Sequence, residues 1–428
     1  MSADDPPGDP TGLDVRPFRA LTYRDHDPAH LARVRSPAYD LVSAAGRDRL
    51  AAADPHNIVR LILPHVERSG NTSAEVAAGT LREWVATGVL QRDAVPALWR
   101  YEMSGPGVPA TTGWLGAVAV PRAGSPAVLP HEDTFPPAVA GRRALLDATG
   151  TDLEPIVLAH DPDPVLAALT DRLGRSPADL TVGDPDGVVH RLWRITDPTV
   201  LGALTAAFAR TTAVIADGHH RFAAAREHMA RSDLAADAVL ALLTPMGPGG
   251  LRVQAIHRVV PDLSWDVALE RAATGFSRVT PVPVDGDLPA VAARWLAGDQ
   301  RPVFLLTDGV RAAELGAPTP PLLASVPAEA PAAWRRLDVV LAHHGLVARS
   351  WGRPDDPASL LVAHDVAEAL QLATERSGVA VLLRSPSPAD VAAVARAGAR
   401  MPRKSTLFVP KPRTGLVLRP HEDRPGPV

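Results

Sequence analysis

The sequence predicts an α/β to α+β fold in which mixed sheets are flanked by helices. Two observations carry this. Helical and strand signals alternate along nearly the whole chain, and no repeat of solenoid period interrupts them. The apolar content, 46% of 428 residues with 21% charged, suffices for one large core or for two or three smaller ones.

The elements are expected in the following order. Residues 1–12 read as a disordered leader because they are acidic and rich in Pro and Gly. Ile58–Leu63 is mostly apolar and β-branched and reads as a strand that breaks at Pro64. Ser73–Thr87 has apolar residues at helical spacing behind a cap at Thr72 or Ser73. Trp114–Val120 reads as a strand, Val165–Leu173 as an amphipathic helix, and Arg191–Ile195 as a strand after the turn Asp184–Gly187. Thr211–Ala216 reads as a buried strand, Arg221–Met229 as a helix and Val239–Leu243 as a further strand. Beyond Pro261 come a helix at Trp265–Thr274, a strand at Arg301–Thr307, a Pro/Ala-rich connector at Pro318–Ala332 and a long helical stretch at Trp334–Arg349. Helix, strand and helix follow at Val362–Thr374, Ala380–Leu383 and Pro388–Ala397. The expected division is 13–265 for a core α/β region, 266–418 for a C-terminal α/β region, and 419–428 for a flexible tail.

Composition excludes several classes of function. There is no cysteine, so disulfides, thiolate metal sites and cysteine nucleophiles are ruled out. No apolar run is long enough to span a membrane, and no cationic stretch followed by an apolar one opens the chain. The expected location is therefore the cytoplasm, with no membrane partner. A net charge of −4 without a basic block argues against nucleic acid as partner. Of 44 basic residues only Lys404 and Lys411 are lysines, which hints at a need for a compact ammonium there.

The strongest local signal is Asp217-Gly218-His219-His220-Arg221, between a buried strand and an alanine-rich helix. Strand, glycine turn and helix aim backbone N–H groups at an anion. Gly218 allows close backbone approach. Arg221 can fork onto phosphate oxygens, and its place near a helix N-terminus, against the dipole, makes an anion welcome. His219 and His220 add donors or an acid/base, and Asp217 could cap, bind metal or act as base. The bland alternative is a helix cap with two surface histidines. A second signal is His131-Glu132-Asp133-Thr134, a loop between prolines, followed by Arg142. Glu132 could deprotonate a substrate hydroxyl, and Thr134 and Arg142 could hold phosphate. The third is Met401–Lys411, where Lys404, Ser405 and Thr406 could bind an anion although the glycines of a P-loop are missing. Tyr39, beside Asp40, and Asn57 are weaker candidates, picked out by the rarity of both residue types. His257-Arg258 and His343-His344 read as structural.

With these segments the chain resembles domain-of-unknown-function family 1015 from about Arg16 to Leu418. The landmarks stand in order: Pro37–Val42, Asn57, His131–Thr134 with Arg142, Ala216–Arg221, His257-Arg258, Met401–Lys411 and Gly415. Ala38, Phe222 and Arg403 depart from the family's usual proline, tyrosine and glutamine, and Val139 stands about where a lysine is common. The Asp-Gly-His-His-Arg element is similar to the phosphate-contacting motif of the ParB/sulfiredoxin superfamily. That group holds CTP-binding partition proteins, ATP-using sulfiredoxins and free-serine kinases that use ADP or pyrophosphate. The resemblance implies a ParB/sulfiredoxin-like core and a nucleotide or phosphate at a helix N-terminus.

The expected function is thus a small-molecule phosphotransferase or phosphatase, related to serine or phosphoserine by analogy alone. Gly218, His219, His220 and Arg221 would hold the phosphoryl group, with Glu132 or Asp217 as base and Lys404 and Thr406 on outer phosphates or a carboxylate; Lys411 is a further candidate for binding phosphate or substrate. Mg²⁺ and a nucleotide or pyrophosphate donor are expected. The alternatives are a metal-dependent hydrolase with Asp217, His219 and His131 as ligands, and a nucleotide-binding regulatory protein without catalysis.

Overall fold

The structure is a computed structural model that describes residues 11–65, 72–106, 108–122, 124–231, 238–298 and 304–421. The chain forms two compact units, one of Met1–Leu251 with Pro410–Val428 and one of Arg252–Val409. The division anticipated near residue 265 falls instead at 251/252, and the chain comes back to the first unit at Pro410.

The first unit is built on a nine-stranded mixed sheet. Its strands are β1 (Val15–Arg16), β2 (Leu98–Gly105), β3 (Val108–Ala119), β4 (Val128–Leu129), β5 (Ile156–His160), β6 (Leu180–Gly183), β7 (Val189–Ile195), β8 (Ala213–Asp217) and β9 (Ala238–Pro245). The order across the sheet is β4-β8-β5-β9-β3-β2-β7-β6, with β1 also on β3. The pairs β4·β8 and β5·β9 are parallel and the others antiparallel. Helices α1 (Pro136–Thr149), α2 (Pro164–Leu173), α3 (Pro198–Phe208) and α4 (His219–Met229) flank it. Each of α1 to α3 starts with proline at the first turn, where no N–H is missed. Asp163 and Asp197 cap α2 and α3 through backbone N–H groups. The core joins Trp114, Ile156, Leu158, Leu166, Phe208, Ile215, Phe222 and Leu243. Burying each large side chain contributes about 1.5–3 kcal/mol, which is what fixes the central strands.

The second unit carries a six-stranded, wholly antiparallel sheet of β10 (His257–Val260), β11 (Phe276–Val282), β12 (Phe304–Thr307), β13 (Ala312–Pro318), β14 (Leu361–Ala363) and β15 (Val379–Leu382). The order is β11-β13-β12-β15-β10-β14. Its core packs Val259, Leu288, Leu305, Ala369 and Leu382.

Most expected elements appear with shifted ends. Ile58–Leu63 does not form a strand. Val59–Ile62 is a helical turn, because the Asn57 side chain accepts the Val59 N–H at 2.9 Å and starts a helix where the β-branched run suggested extension. The Trp334–Arg349 stretch breaks into short helices, Ala332–Arg335 and Asp338–Val340, followed by wider π-type turns over Leu341–Ser350. Of the expected leader, residues 1–10 lie outside the described residues, and Leu13 already donates to the Thr211 carbonyl. Of the expected strand at 301–307, residues 301–303 lie outside them as well. Arg419–Pro420, assigned to the tail, pair with Thr151–Asp152, and Arg419 is ion-paired to Asp152 at 2.8 Å. Among the described residues no helix is long and apolar enough to cross a membrane.

Candidate functional site

β8 delivers Asp217 to the edge of the core. Its register against β5 slips between Ile215 and Asp217, a bulge that re-aims the last residue of the strand. Gly218 then turns the chain with φ +93° and serves as N-cap of α4 without a side-chain cap bond. A Cβ at this glycine would fall 2.8 Å from Ile156 Cγ2, so both space and backbone demand glycine. Gly218→Ala is expected to lower the unfolding free energy by about 1–3 kcal/mol in a urea titration. An unchanged midpoint would show that the turn relaxes.

Arg221 lies in the first turn of α4, where a bare cation opposes the helix dipole. Asp217 answers it. Its Oδ2 accepts from Arg221 Nη2 at 2.6 Å, while Arg221 Nη1 donates to the Pro155 carbonyl. The Arg221 Nε is buried and has no hydrogen-bond partner among the described residues. The other Asp217 oxygen, Oδ1, lies 2.7 Å from Lys411 Nζ, and the same ammonium reaches Asp40 Oδ2 at 2.8 Å. One of the two lysines thus bridges two carboxylates that sequence separates widely. Burial alone would lower the Lys411 pKa, but Asp217 and Asp40 outweigh it and raise it. For Asp40 burial pulls upward, and the Lys411 charge and hydrogen bond, with Arg221, win and lower its pKa.

Tyr39 and Arg142 complete this cluster. The Arg142 guanidinium stacks 4.3 Å from the Tyr39 ring centroid, and Arg221 stands 5.9 Å from it. Glu154, which sequence reasoning missed, accepts from the Tyr39 N–H and the Thr414 hydroxyl, both at 3.0 Å. Burial raises its pKa against the pull of Arg221 and those hydrogen bonds. Nothing in the sequence distinguishes Glu154 from any other acid before a proline. A small cavity of about 50 Å³ is lined by Arg142, Asp152, Glu154 and Arg221 among others.

The His131 loop joins the same place. His219 Nε2 accepts the His131 N–H at 3.3 Å, and His220 Nε2 accepts the Phe135 N–H at 3.0 Å. An Nε2 that accepts carries no proton, so the ring proton of each neutral histidine sits on Nδ1. The two histidines therefore pin the loop to the start of α4, and their Nε2 atoms are spent on that task. The His131 and His219 rings meet edge to face at 4.7 Å. Glu132 is partly exposed, with Oε1 3.9 Å from His131 Nε2, while Thr134 is exposed. Asn57 is fully buried and spends its amide on the carbonyls of Arg33 and Arg35 and on the Val59 N–H, so it braces the backbone.

The segment that carries Lys411 is itself clamped. Arg413 Nε reaches Asp184 Oδ2 at 2.6 Å, Arg35 lies 2.5 Å from Oδ1, and His190 Nε2 lies 3.1 Å from Oδ2. Tyr101 bonds His190 Nδ1 at 2.8 Å and accepts the Arg413 N–H at 3.1 Å. The Asp184 turn was visible in the sequence, but not its meeting with Tyr101.

Lys404, Ser405 and Thr406 belong to the second unit. There Asp355 bonds His343 Nδ1 at 2.8 Å, and His343 Nε2 accepts from Arg258 Nε at 2.8 Å. Arg258 in turn holds the carbonyls of Arg403 and Lys404 at 3.1 and 2.9 Å. This buried arginine fixes Lys404 at φ +52°, with its side chain exposed, while the Ser405 hydroxyl bonds the Pro402 carbonyl. Among the described residues no group of three or more His, Asp or Glu side chains is arranged to hold a metal ion.

Residues 15–340 match the family described as Protein of unknown function (DUF1015), and the chain belongs to that family. No curated protein matches it in sequence. Among solved structures it is similar to a conserved hypothetical protein from Pyrococcus furiosus, at 13% identity and a TM-score of 0.30 over 66% of this chain and 87% of that one. It is similar to SbnI with C-terminal truncation from Staphylococcus aureus, at 12% identity and 0.35 over 69% and 82%. A free serine kinase in complex with AMP matches at 14% identity and 0.29 over 66% and 84%.

Proposed function

We propose that the first unit binds a small phosphate-bearing molecule at the start of α4, and that the protein is a small-molecule phosphotransferase or, with water as acceptor, a phosphatase. The observation that carries this is the convergence of Arg142, Arg221 and Lys411 with Asp40 and Asp217 beside the Gly218 turn. The carboxylates hold the cations in place. An entering phosphate takes over Arg221 and Lys411 from Asp217, so the cations are never left bare. The likeness of Ala216–Arg221 to the ParB/sulfiredoxin phosphate motif supports the same reading and a core of that type.

Catalysis on this reading is positioning and charge neutralisation. The partly exposed Glu132 serves as base, while Asp217, once the phosphate has taken over its cations, is left for the metal. Glu132 takes the proton of the acceptor hydroxyl, the acceptor oxygen bonds phosphorus, and the bond to the leaving phosphate breaks. The donor is a nucleotide or pyrophosphate and the most concrete acceptor is serine, with phosphoserine as product. Mg²⁺ bound to the donor would be held by Asp40 and Asp217, two carboxylates being the usual protein share of such a site.

Thermal shift with ATP, ADP, pyrophosphate, phosphoserine and serine tests the binding. At a ligand concentration of a hundred times Kd the expected stabilisation is about 2.7 kcal/mol. Arg221→Ala, or Arg221→Lys should the first not fold, is expected to abolish every phosphate-dependent shift. A variant that shifts as much as the wild type overturns the site. Phosphorus NMR of the best donor with serine then separates an enzyme from a binding protein without turnover.

A further inference from the structure

A concave feature of the first unit that the phosphate site does not use lies at the far end of β5. Asp217 pairs with Val157 near the start of β5, whereas β5 ends at His160, beside the end of its parallel neighbour β9 at Pro245. Between these strand ends, α2 and the 245–250 loop lies a cavity of about 360 Å³. That volume is within the usual range for small-molecule sites, and carboxyl ends of parallel strands are where open α/β sheets commonly bind ligands. The loop is held in place by Met246 N–H on the His160 carbonyl at 2.8 Å and by Thr112 N–H on the Gly249 carbonyl at 2.8 Å.

His160 gives the cavity its chemistry. It is 2% exposed, and its Nδ1 bonds the Asp161 carbonyl at 2.7 Å, so Nδ1 carries the proton. Burial lowers its pKa against the opposing pull of Asp161 and Asp163, which keeps the ring neutral. Its Nε2 is then a lone-pair acceptor, without a partner among the described residues, on a residue that lines the cavity. Asp171 also lines the cavity and has an exposed carboxylate with no ion pair among the described residues. Asp163 is already occupied, capping α2 and pairing with Arg210. No lysine or arginine lines the cavity, while Trp114, Leu166, Met246 and Pro248 supply apolar wall. An acceptor and an acid on an apolar wall repel phosphate and suit the opposite charge.

We propose that this cavity binds a small organic amine, its ammonium donating to His160 Nε2 and facing Asp171 and its apolar body lying against Trp114 and Met246. None of these residues belongs to the phosphate site, so the proposal stands whether or not that reading holds. Isothermal titration of the full chain with phenethylammonium, phenylacetate and 2-phenylethanol tests it. The expected result is saturable binding of the amine, at least tenfold weaker binding of the alcohol and none of the carboxylate. His160→Phe and Asp171→Asn are each expected to weaken the amine at least fivefold. Ala167→Trp, a substitution at an exposed position that fills the cavity from its rim, is expected to abolish it and serves if His160→Phe does not fold. Absence of saturable amine binding, equal binding of amine and carboxylate, or full binding by Ala167→Trp overturns the proposal.

Discussion

Asp184→Leu is expected to cost about 3–5 kcal/mol of unfolding free energy, the largest loss of any single substitution outside the apolar core. The Asp184 side chain is 1% exposed and is the shared partner of Arg35, Arg413 and His190. Removing it leaves two guanidinium groups, themselves largely buried, without a counter-charge. Burial alone would raise the Asp184 pKa, but the hydrogen bonds from His190 and Arg413 bring it from 3.8 to about 2. A carboxylate depressed in the folded state stabilises above its unfolded pKa and stops doing so as pH falls through the folded value. The window is therefore about pH 4 to 2, and the shift corresponds to about 2 kcal/mol. Asp152, held to about 2 by His421 and Arg419 against its burial, adds a second contribution in the same window. Urea titrations at pH 6 and pH 2.5 check this. The stability gap between wild type and Asp184→Asn should narrow on acidification, and a constant gap would show that the group's charge does not matter.

The Asp184 clamp also shows which parts of the molecule could be read in advance. Asp217–Arg221 was legible because its signals are local: an apolar run, a glycine that must turn, and polar residues at a helix start. The His131 loop was legible as polar chemistry, but its attachment through His219 and His220 Nε2 depends on backbone N–H groups that sequence does not mark. Rarity pointed to Lys411, yet its neighbour Lys404, seven residues earlier, falls in the other unit. Spacing along the chain says nothing about a crossover at Pro410. Ile156–His160 escaped notice because a five-residue strand buried on both faces has no alternation to reveal it. Glu154 and Asp40 escaped for a different reason. Their roles come from Thr414 and Lys411, which only the returning segment supplies.

Lys411→Met is expected to abolish phosphate-dependent stabilisation and to cost about 3 kcal/mol of intrinsic stability. The ammonium is 12% exposed and lies within 2.8 Å of one oxygen each of Asp40 and Asp217. Without it Asp217 keeps Arg221, but Asp40 loses its hydrogen-bonded partner. The double variant Asp40→Asn, Lys411→Met should recover stability by more than the single effects predict, with a coupling energy of about 1–3 kcal/mol. It should not recover phosphate binding, because the cation is still missing. Lys411→Arg is the sharper test. Arginine retains the charge but brings a planar fork on a longer stem, and one guanidinium cannot place a single point charge between two carboxylates in the same way. In a chain where arginine has taken almost every basic position, the retained lysine implies that this substitution fails. Expected is near-normal folding with at least a tenfold weaker response to pyrophosphate or ADP in the thermal-shift titration. A response equal to the wild type would mean that Lys411 contributes charge alone, and that its geometry between Asp40 and Asp217 is a packing feature of the returning segment.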